Sequence, residues 1–372
     1  MTVLGALLLL VTGVQIRAQI ADGSYFSTVR ALNPGVAHHR TQALAALNVS
    51  QKNVAKNHEV TAGGIQGGVQ TDVALQKNTV FGAAKMSFVA VELLADVETG
   101  TKTEHINSTT YGARDVTNKA NSTYMGAVVG IPFLGFSYST AKYAIDYAFR
   151  VGAPPSVSAN DQETRIDYKL LKIGTAMNVM GVTFGIFGMD KKSTETYTYT
   201  YYDPTSGNKG TTEVWPATTS ATGYGVGLGY TAKAFRFEVS SEQMGAGQLE
   251  ANENPLEIIK ADAASSRLSV NAEVRIGKLS LGARVNSNKG NFTDLEDLIS
   301  SKLLYSEAGP DDERIETSFN FGYGADQGLS FSAFYTQSEA KSEEVSSIFR
   351  GDTTYPATTK STAMGVGLSY YF

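Results

Sequence analysis

No cysteine occurs in the 372 residues. This excludes thiol nucleophiles, cysteine-ligated zinc and disulfides, but it assigns no compartment, because an oxidising space permits disulfides without requiring them. Histidine is nearly as scarce: His38, His39, His58 and His105 are the full complement, and their spacing fits no metal motif. Neither G-x-S-x-G nor G-x-x-x-x-G-K-[ST] is present, so the common signatures of hydrolases and phosphate-binding loops are missing too. Charge is sparse and nearly balanced, at 18% of residues and a formal net of −5, which gives no reason to expect nucleic acid as a partner. The reading is a non-enzyme with no cofactor and no metal.

Long apolar runs are lacking as well. Residues 3–14 (VLGALLLLVTGV) form the only one, too short to cross a bilayer as a helix. Gln15-Ile16-Arg17-Ala18 follows, so residues 1–18 read as a secretory signal peptide cleaved after Ala18, although no Lys or Arg precedes the run.

What the chain has instead is alternation. Counting back from the end, Phe372, Tyr370, Leu368, Val366 and Met364 share one parity. Tyr371, Ser369, Gly367, Gly365, Ala363 and Ser361 share the other. Period 2 is the mark of a strand with one large apolar face and one small or polar face. The pattern recurs around Phe319, Val270, Leu281 and Phe237, which points to a closed β-barrel in lipid. Its terminal Phe resembles the end of bacterial outer-membrane barrels as a class.

The expected fold is all-β, a transmembrane antiparallel barrel of fourteen strands. They are placed at 41–49, 61–75, 80–94, 124–133, 135–151, 163–178, 182–201, 221–231, 235–243, 267–276, 279–287, 314–324, 329–338 and 361–372. Short turns fall near 77–78, 132–135, 180–181, 232–234, 277–278 and 325–328, with long polar loops at the other joins. In outer-membrane barrels short turns face the periplasm and long loops the exterior. Residues 19–40 are assigned to an N-terminal plug and 41–372 to the barrel. Apolar parity flips between Tyr138 and Tyr143, and again between Leu170 and Leu171. Two readings stand: a β-bulge, which shifts parity by one, or a misplaced turn.

Several groups are candidates for function. Arg236, Glu238, Glu273, Arg275, Arg284 and Glu316 fall on inward faces, because a charge facing lipid costs roughly 2–4 kcal/mol for Arg or Lys at mid-membrane. They line a polar channel, bind a ligand carboxylate, or form a closed lattice of salt bridges; Glu273 and Arg284 are placed to pair across a hairpin. Gly223, Gly225, Gly227 and Gly229 share an inward face, as room for a plug or ligand or as a smooth wall beside bulky neighbours. Tyr197, Tyr199 and Tyr201 suit an aromatic girdle. In the loop at 291–303, Phe292, Leu295, Leu298, Ile299 and Leu303 are spaced for one helix face behind a capping box, Thr293 to Glu296. A second loop helix is expected from Asn254-Pro255.

The element Ala31-Leu32-Asn33-Pro34-Gly35 precedes the first strand. It resembles the Asn-Pro-Ala motif that precedes the first strand in long-chain fatty-acid transporter (FadL-type) barrels, a family that also has fourteen strands. The match is three residues long with Gly35 in place of Ala, and the segment ahead of it is shorter than the family's. The resemblance implies that Asn33, Pro34 and Gly35 belong to a hatch plugging the lumen. It also implies that hydrophobic ligand enters from exterior loops and leaves sideways through a gap in the wall. The expectation is therefore a monomeric, integral protein of the bacterial outer membrane, in contact with its lipid. Its expected role is passive uptake of hydrophobic or amphipathic small molecules such as long-chain fatty acids. A general diffusion porin and a closed-lumen surface or structural barrel remain as alternatives.

Overall fold

The computed structural model describes residues 33–39, 43–62, 65–108, 112–151, 158–202, 209–232, 234–252, 264–290, 313–324, 328–345 and 354–372. The expected signal peptide, most of the 19–40 segment and both expected loop helices, with Phe292, Leu295, Leu298, Ile299 and Leu303, lie outside them.

A short 3-10 helix, Pro34–His39, leads into fifteen strands. Eight long ones come first: β1 Leu44–Ala62, β2 Ile65–Met86, β3 Val89–Ser108, β4 Gly112–Ile131, β5 Leu134–Val151, β6 Ser158–Val179, β7 Val182–Tyr202 and β8 Lys209–Thr231. Then follow β9 Phe235–Met244, β10 Gln248–Asn252, β11 Ser265–Ile276, β12 Leu279–Lys289, β13 Glu313–Gly324, β14 Gly328–Val345 and β15 Thr354–Tyr371. Each strand pairs antiparallel with its neighbours, and β1 pairs with β15, so the sheet closes on itself. Both β9 and β10 pair with β8, and only residues 245–247 separate them. They act as one interrupted stave, giving a fourteen-strand barrel.

Tight turns gather at one end, at Ser87-Phe88, Pro132-Phe133, Met180-Gly181 and Gly277-Lys278. Met180 and Gly181 both have positive φ (54° and 83°), the type I′ geometry whose twist matches a hairpin. The C-terminus joins this end, where the Phe372 amide donates to the Ala43 carbonyl at 3.2 Å. Near it, the outward positions are mostly apolar and many are exposed: Val91, Leu93 and Val97 on β3, Phe184 and Ile186 on β7, Phe319 and Phe321 on β13, Val366 and Leu368 on β15. Such a continuous greasy belt around a closed barrel is stable only against lipid. Among the described residues no helix is long and apolar enough to cross a membrane.

Three expectations are corrected. No turn forms at Lys77-Asn78: both lie within β2, whose hairpin turn is at Ser87-Phe88, so β1 to β3 replace the strands placed at 41–49, 61–75 and 80–94. No bulge occurs in β5 or β6, since their pairing runs unshifted from Gly135↔Gly174 to Val151↔Ser158. The register shifts lie instead between Thr200 and Tyr202 and between Leu249 and Ala251. Tyr197 and Tyr199 do not meet lipid. They share the inward parity of Phe187 and Met189; the Tyr197 hydroxyl donates to Glu195 at 2.7 Å and the Tyr199 ring lies 4.8 Å from Trp215. Tyr201's side chain is outside the described set.

The polarity switch behind the first two misreadings has one cause. Along β6, Leu171, Ile173, Met177 and Val179 face out near the turns, while Lys169, Asp167 and Arg165 face out above them. The inward positions switch the opposite way, from Lys172 to Leu170, Tyr168 and Ile166. β2 behaves alike: Val80 and Met86 face out below, Asn78, Gln76 and Asp72 above, and Leu75 and Val73 turn inward above Lys77. The strands leave the bilayer there. Above it the outer face meets water and the apolar residues fill the interior.

Candidate functional site

At the turn end the lumen holds the 3-10 helix, pressed against β3 to β7. Asn33 anchors it. Its amide nitrogen donates to the carbonyls of Thr175 (3.0 Å) and Ile186 (3.4 Å), on adjacent strands, and its amide oxygen accepts from the Gly35 amide at 2.9 Å. Both amide hydrogens and one lone pair of the side chain thus go to backbone groups. The approach depends on missing side chains: a Cβ at Gly174 or Gly185 would overlap the Asn33 amide, and one at Gly135 would overlap Pro34. Val36 packs on Ala176, and Lys85 Nζ donates to the His38 carbonyl at 2.8 Å. Burial, and secondarily the Lys85 charge, holds His38 below its ordinary pKa. Asn33, Pro34 and Gly35 are thus all buried and docked on the wall.

Ion pairs occupy the inward face on β9 to β13. Arg236 and Glu238 meet at 2.6 Å, both almost fully buried. Glu273 stands opposite Arg236 in the β9/β11 ladder and is buried. The expected Glu273–Arg284 pairing is replaced: Arg284 lies opposite Asn271 and meets Glu316 at 3.7 Å. Arg275 is beside the turn, with Nε donating to the Gly277 carbonyl at 2.9 Å. Each charge therefore sits within reach of an opposite one or a carbonyl. Asn271, Asn320, Ser280 and Ser318 complete a polar wall.

Two pairs had no counterpart in the sequence reading. Lys77 meets Asp96 at 3.4 Å. Lys172 of β6 meets Glu242 of β9 at 3.3 Å, with Lys172 Nζ 5.2 Å from the centre of the Phe187 ring on intervening β7. The glycine tract of β8 makes room, because a Cβ at Gly225 would overlap that ring. The glycines thus serve as a smooth surface beside a bulky neighbour.

Above the ion pairs part of the lumen wall becomes apolar, with buried polar residues such as Thr71, Thr164 and Ser193 interspersed. Val54, Val73, Leu75, Ala120, Ala141, Tyr143, Ile145, Ile166, Tyr168 and Ala340 form one buried cluster, drawn from β1, β2, β4, β5, β6 and β14, with Tyr124 and Leu170 packed against it. A cavity of about 950 Å³ adjoins it, sharing Leu75 and Ala120 and bounded on inward positions by Ser50, Gly100, Phe334 and Gly365. Small residues make this space, and a Cβ at Gly365 would overlap the Phe334 ring. Phe334 also borders a pocket of about 50 Å³ among Lys52, Lys77, Glu98, Arg284 and Glu316, so its ring stands between chamber and charges. The volume falls in the range of small-molecule sites. The chamber was missed in the sequence because it shows there only as an inversion of strand parity.

No protein-family model matches the sequence, and no curated protein does. Solved structures match closely in shape. A FadL homologue of Pseudomonas aeruginosa aligns with a TM-score of 0.62 at 12% identity, over 92% of this chain and 93% of that one. The chain has the fold of the FadL-type barrels. The toluene transporter TodX of Pseudomonas putida aligns at TM-score 0.57 and 8% identity, covering 93% and 94%. TbuX, the toluene transporter of Ralstonia pickettii, aligns at 0.54 and 7%, covering 92% and 93%. The sideways gap that the resemblance implies does not open along β3, which pairs with β2 and β4 in unshifted register from its turn to its far end.

Proposed function

We propose that this chain is an integral barrel of the bacterial outer membrane that takes up hydrophobic or amphipathic small molecules without expending energy. The observation that carries the reading is the cavity of about 950 Å³ midway along the lumen, beside the buried apolar cluster that contains Leu75 and Ala120. A lumen needing only rigidity is better filled by packed side chains, and one conducting ions is better lined by water-facing polar groups. Here small residues leave an apolar space open. The Asn33-anchored segment and the ion pairs lie beneath it, so ligand collected in the chamber waits on rearrangement of that layer. The toluene transporters of the same fold support a hydrophobic ligand; long-chain fatty acids are the amphipathic candidate.

Equilibrium binding of a fluorescent long-chain fatty acid to the purified, detergent-solubilised protein tests this, with Ala120→Glu alongside. Saturable, competable binding that falls at least about tenfold with a carboxylate in the chamber is expected. Binding no better than detergent partitioning would sink the proposal. Ion conductance in a planar bilayer would then favour a diffusion porin, and silence a closed structural barrel.

A further inference from the structure

The cavity has a shape as well as a volume. Its wall is drawn from six strands that are consecutive in the sheet, β14, β15, β1, β2, β3 and β4. On the last five of these it meets only three successive residues each: 364–366, 49–51, 74–76, 99–101 and 119–121. Neighbouring strands lie about 4.8 Å apart and residues rise about 3.3 Å, so the space is a trough about 24 Å long across the strands and about 7 Å tall along them.

The inward positions along the trough are, in order, Phe334, Gly365, Ser50, Leu75, Gly100 and Ala120. Ladder pairing ties them together: Phe334 pairs with Gly365, Gly365 with Ser50, Leu75 with Gly100 and Gly100 with Ala120. Four of the six are small. At Gly365 the missing side chain is used directly: a Cβ there would overlap the Phe334 ring, which therefore lies over the β15 backbone. Leu75, the large residue near the middle, is held in the buried cluster with Val54 and Val73. Ser50 is half-buried and third in the row. A large side chain at Ser50 would cut the trough in two, leaving one part over β14 and β15 and another over β2 to β4. A compact ring fills only a fraction of such a space. An extended chain buries itself along its whole length, and each methylene buried raises affinity by up to about fourfold.

Resting on the uptake reading, we infer that Ser50 and Gly365 are specificity-determining residues. By staying small they keep the trough continuous, so the cavity selects an unbranched aliphatic chain laid extended across the strands over a compact ring of the same carbon count. The chain lies along the wall, with Phe334 toward one end and Ala120 toward the other.

The test compares 1-dodecanol, cyclododecanol and 1-hexanol by equilibrium binding to the full-length protein in detergent, with Ser50→Leu and Ser50→Ala as variants. Wild type is expected to bind 1-dodecanol at least about tenfold tighter than cyclododecanol. Ser50→Leu should lose about tenfold for 1-dodecanol while keeping 1-hexanol, which fits either part of the divided trough, within about twofold. That retained binding also reports a folded cavity. Ser50→Ala removes the hydroxyl without adding volume and should keep both alcohols within about twofold. Three results each overturn this inference and leave hydrophobic uptake standing: cyclododecanol bound as tightly as 1-dodecanol, Ser50→Leu unchanged for 1-dodecanol, or Ser50→Ala losing as much as Ser50→Leu. If Ser50→Leu does not fold, the wild-type comparison of chain with ring decides alone. Failure of all three probes to bind wild type overturns the uptake reading as well.

Discussion

Among the described residues, one side of this barrel has strands nearly twice as long as the other. β1 to β8 run 18 to 23 residues and β14 and β15 run 18, whereas β9, β11, β12 and β13 run 10 to 12. A tilted strand crosses the hydrocarbon with about 9–11 residues, so the short side ends close to the membrane surface and the tall side continues beyond it. The short strands keep polar residues inward along their length and apolar ones outward until their loop ends, at Gln243, Lys289 and Glu313. The tall strands obey two rules in succession. Once above the bilayer they fold as a soluble barrel would, water outside and an apolar interior. The apolar cluster of Val73, Tyr143, Ile166 and Tyr168 belongs to the stretch of the tall strands beyond the point where their polarity reverses.

A buried charge should separate the two sides most sharply. Ile166→Asp places a carboxylate in the apolar cluster and is expected to cost about 4 kcal/mol or more in urea unfolding from detergent. Ser318→Asp, on the short polar wall, should cost under about 1.5 kcal/mol. Equal costs would break the contrast. Next in size is the tie between the sides. Lys172→Met strands Glu242, whose side chain is 4% exposed, and should destabilise by about 3 kcal/mol, with most of the loss restored by adding Glu242→Leu. An unrestored double variant would mean that Lys172 acts through packing alone.

Asn33→Ala probes the tall side's lower wall. It removes the bonds to Thr175, Ile186 and Gly35 and should loosen the 3-10 helix by about 1–2 kcal/mol, read as faster amide hydrogen exchange at residues 35–39. The smallest effect concerns pH. Since the docked state holds His38 below its ordinary pKa, docking is at full strength above about pH 6.5 and weakens as pH falls from there through the lowered value. Hydrogen exchange in the same segment should therefore speed up toward pH 5 once the intrinsic pH dependence is removed, and His38→Gln should flatten that change.

How legible this was in the sequence follows the same division. On the short side alternation never changes phase, so the strands through Phe237, Val270, Leu281 and Phe319 fall within a few residues of their places, and Arg236, Glu238, Glu273, Arg284 and Glu316 face inward as their parity requires. The pairing partner of Arg284 was not legible, because it depends on the register between strands rather than on parity within one. On the tall side, the inversion at Leu170/Leu171 mimics a bulge and the polar Lys77-Asn78 mimics a turn. Period 2 alone cannot tell a bulge from a change of solvent. Continued strand length is the cue that separates them.

The most direct test of the central claim is anomalous diffraction from crystals soaked with a brominated apolar ligand such as 1-bromodecane. The account predicts a bromine peak inside the barrel, among Leu75, Ala120 and Phe334, that disappears when Ala120→Leu fills part of the space. Bromine found only on the outer apolar belt, or along the polar wall of β9 to β13, would contradict it.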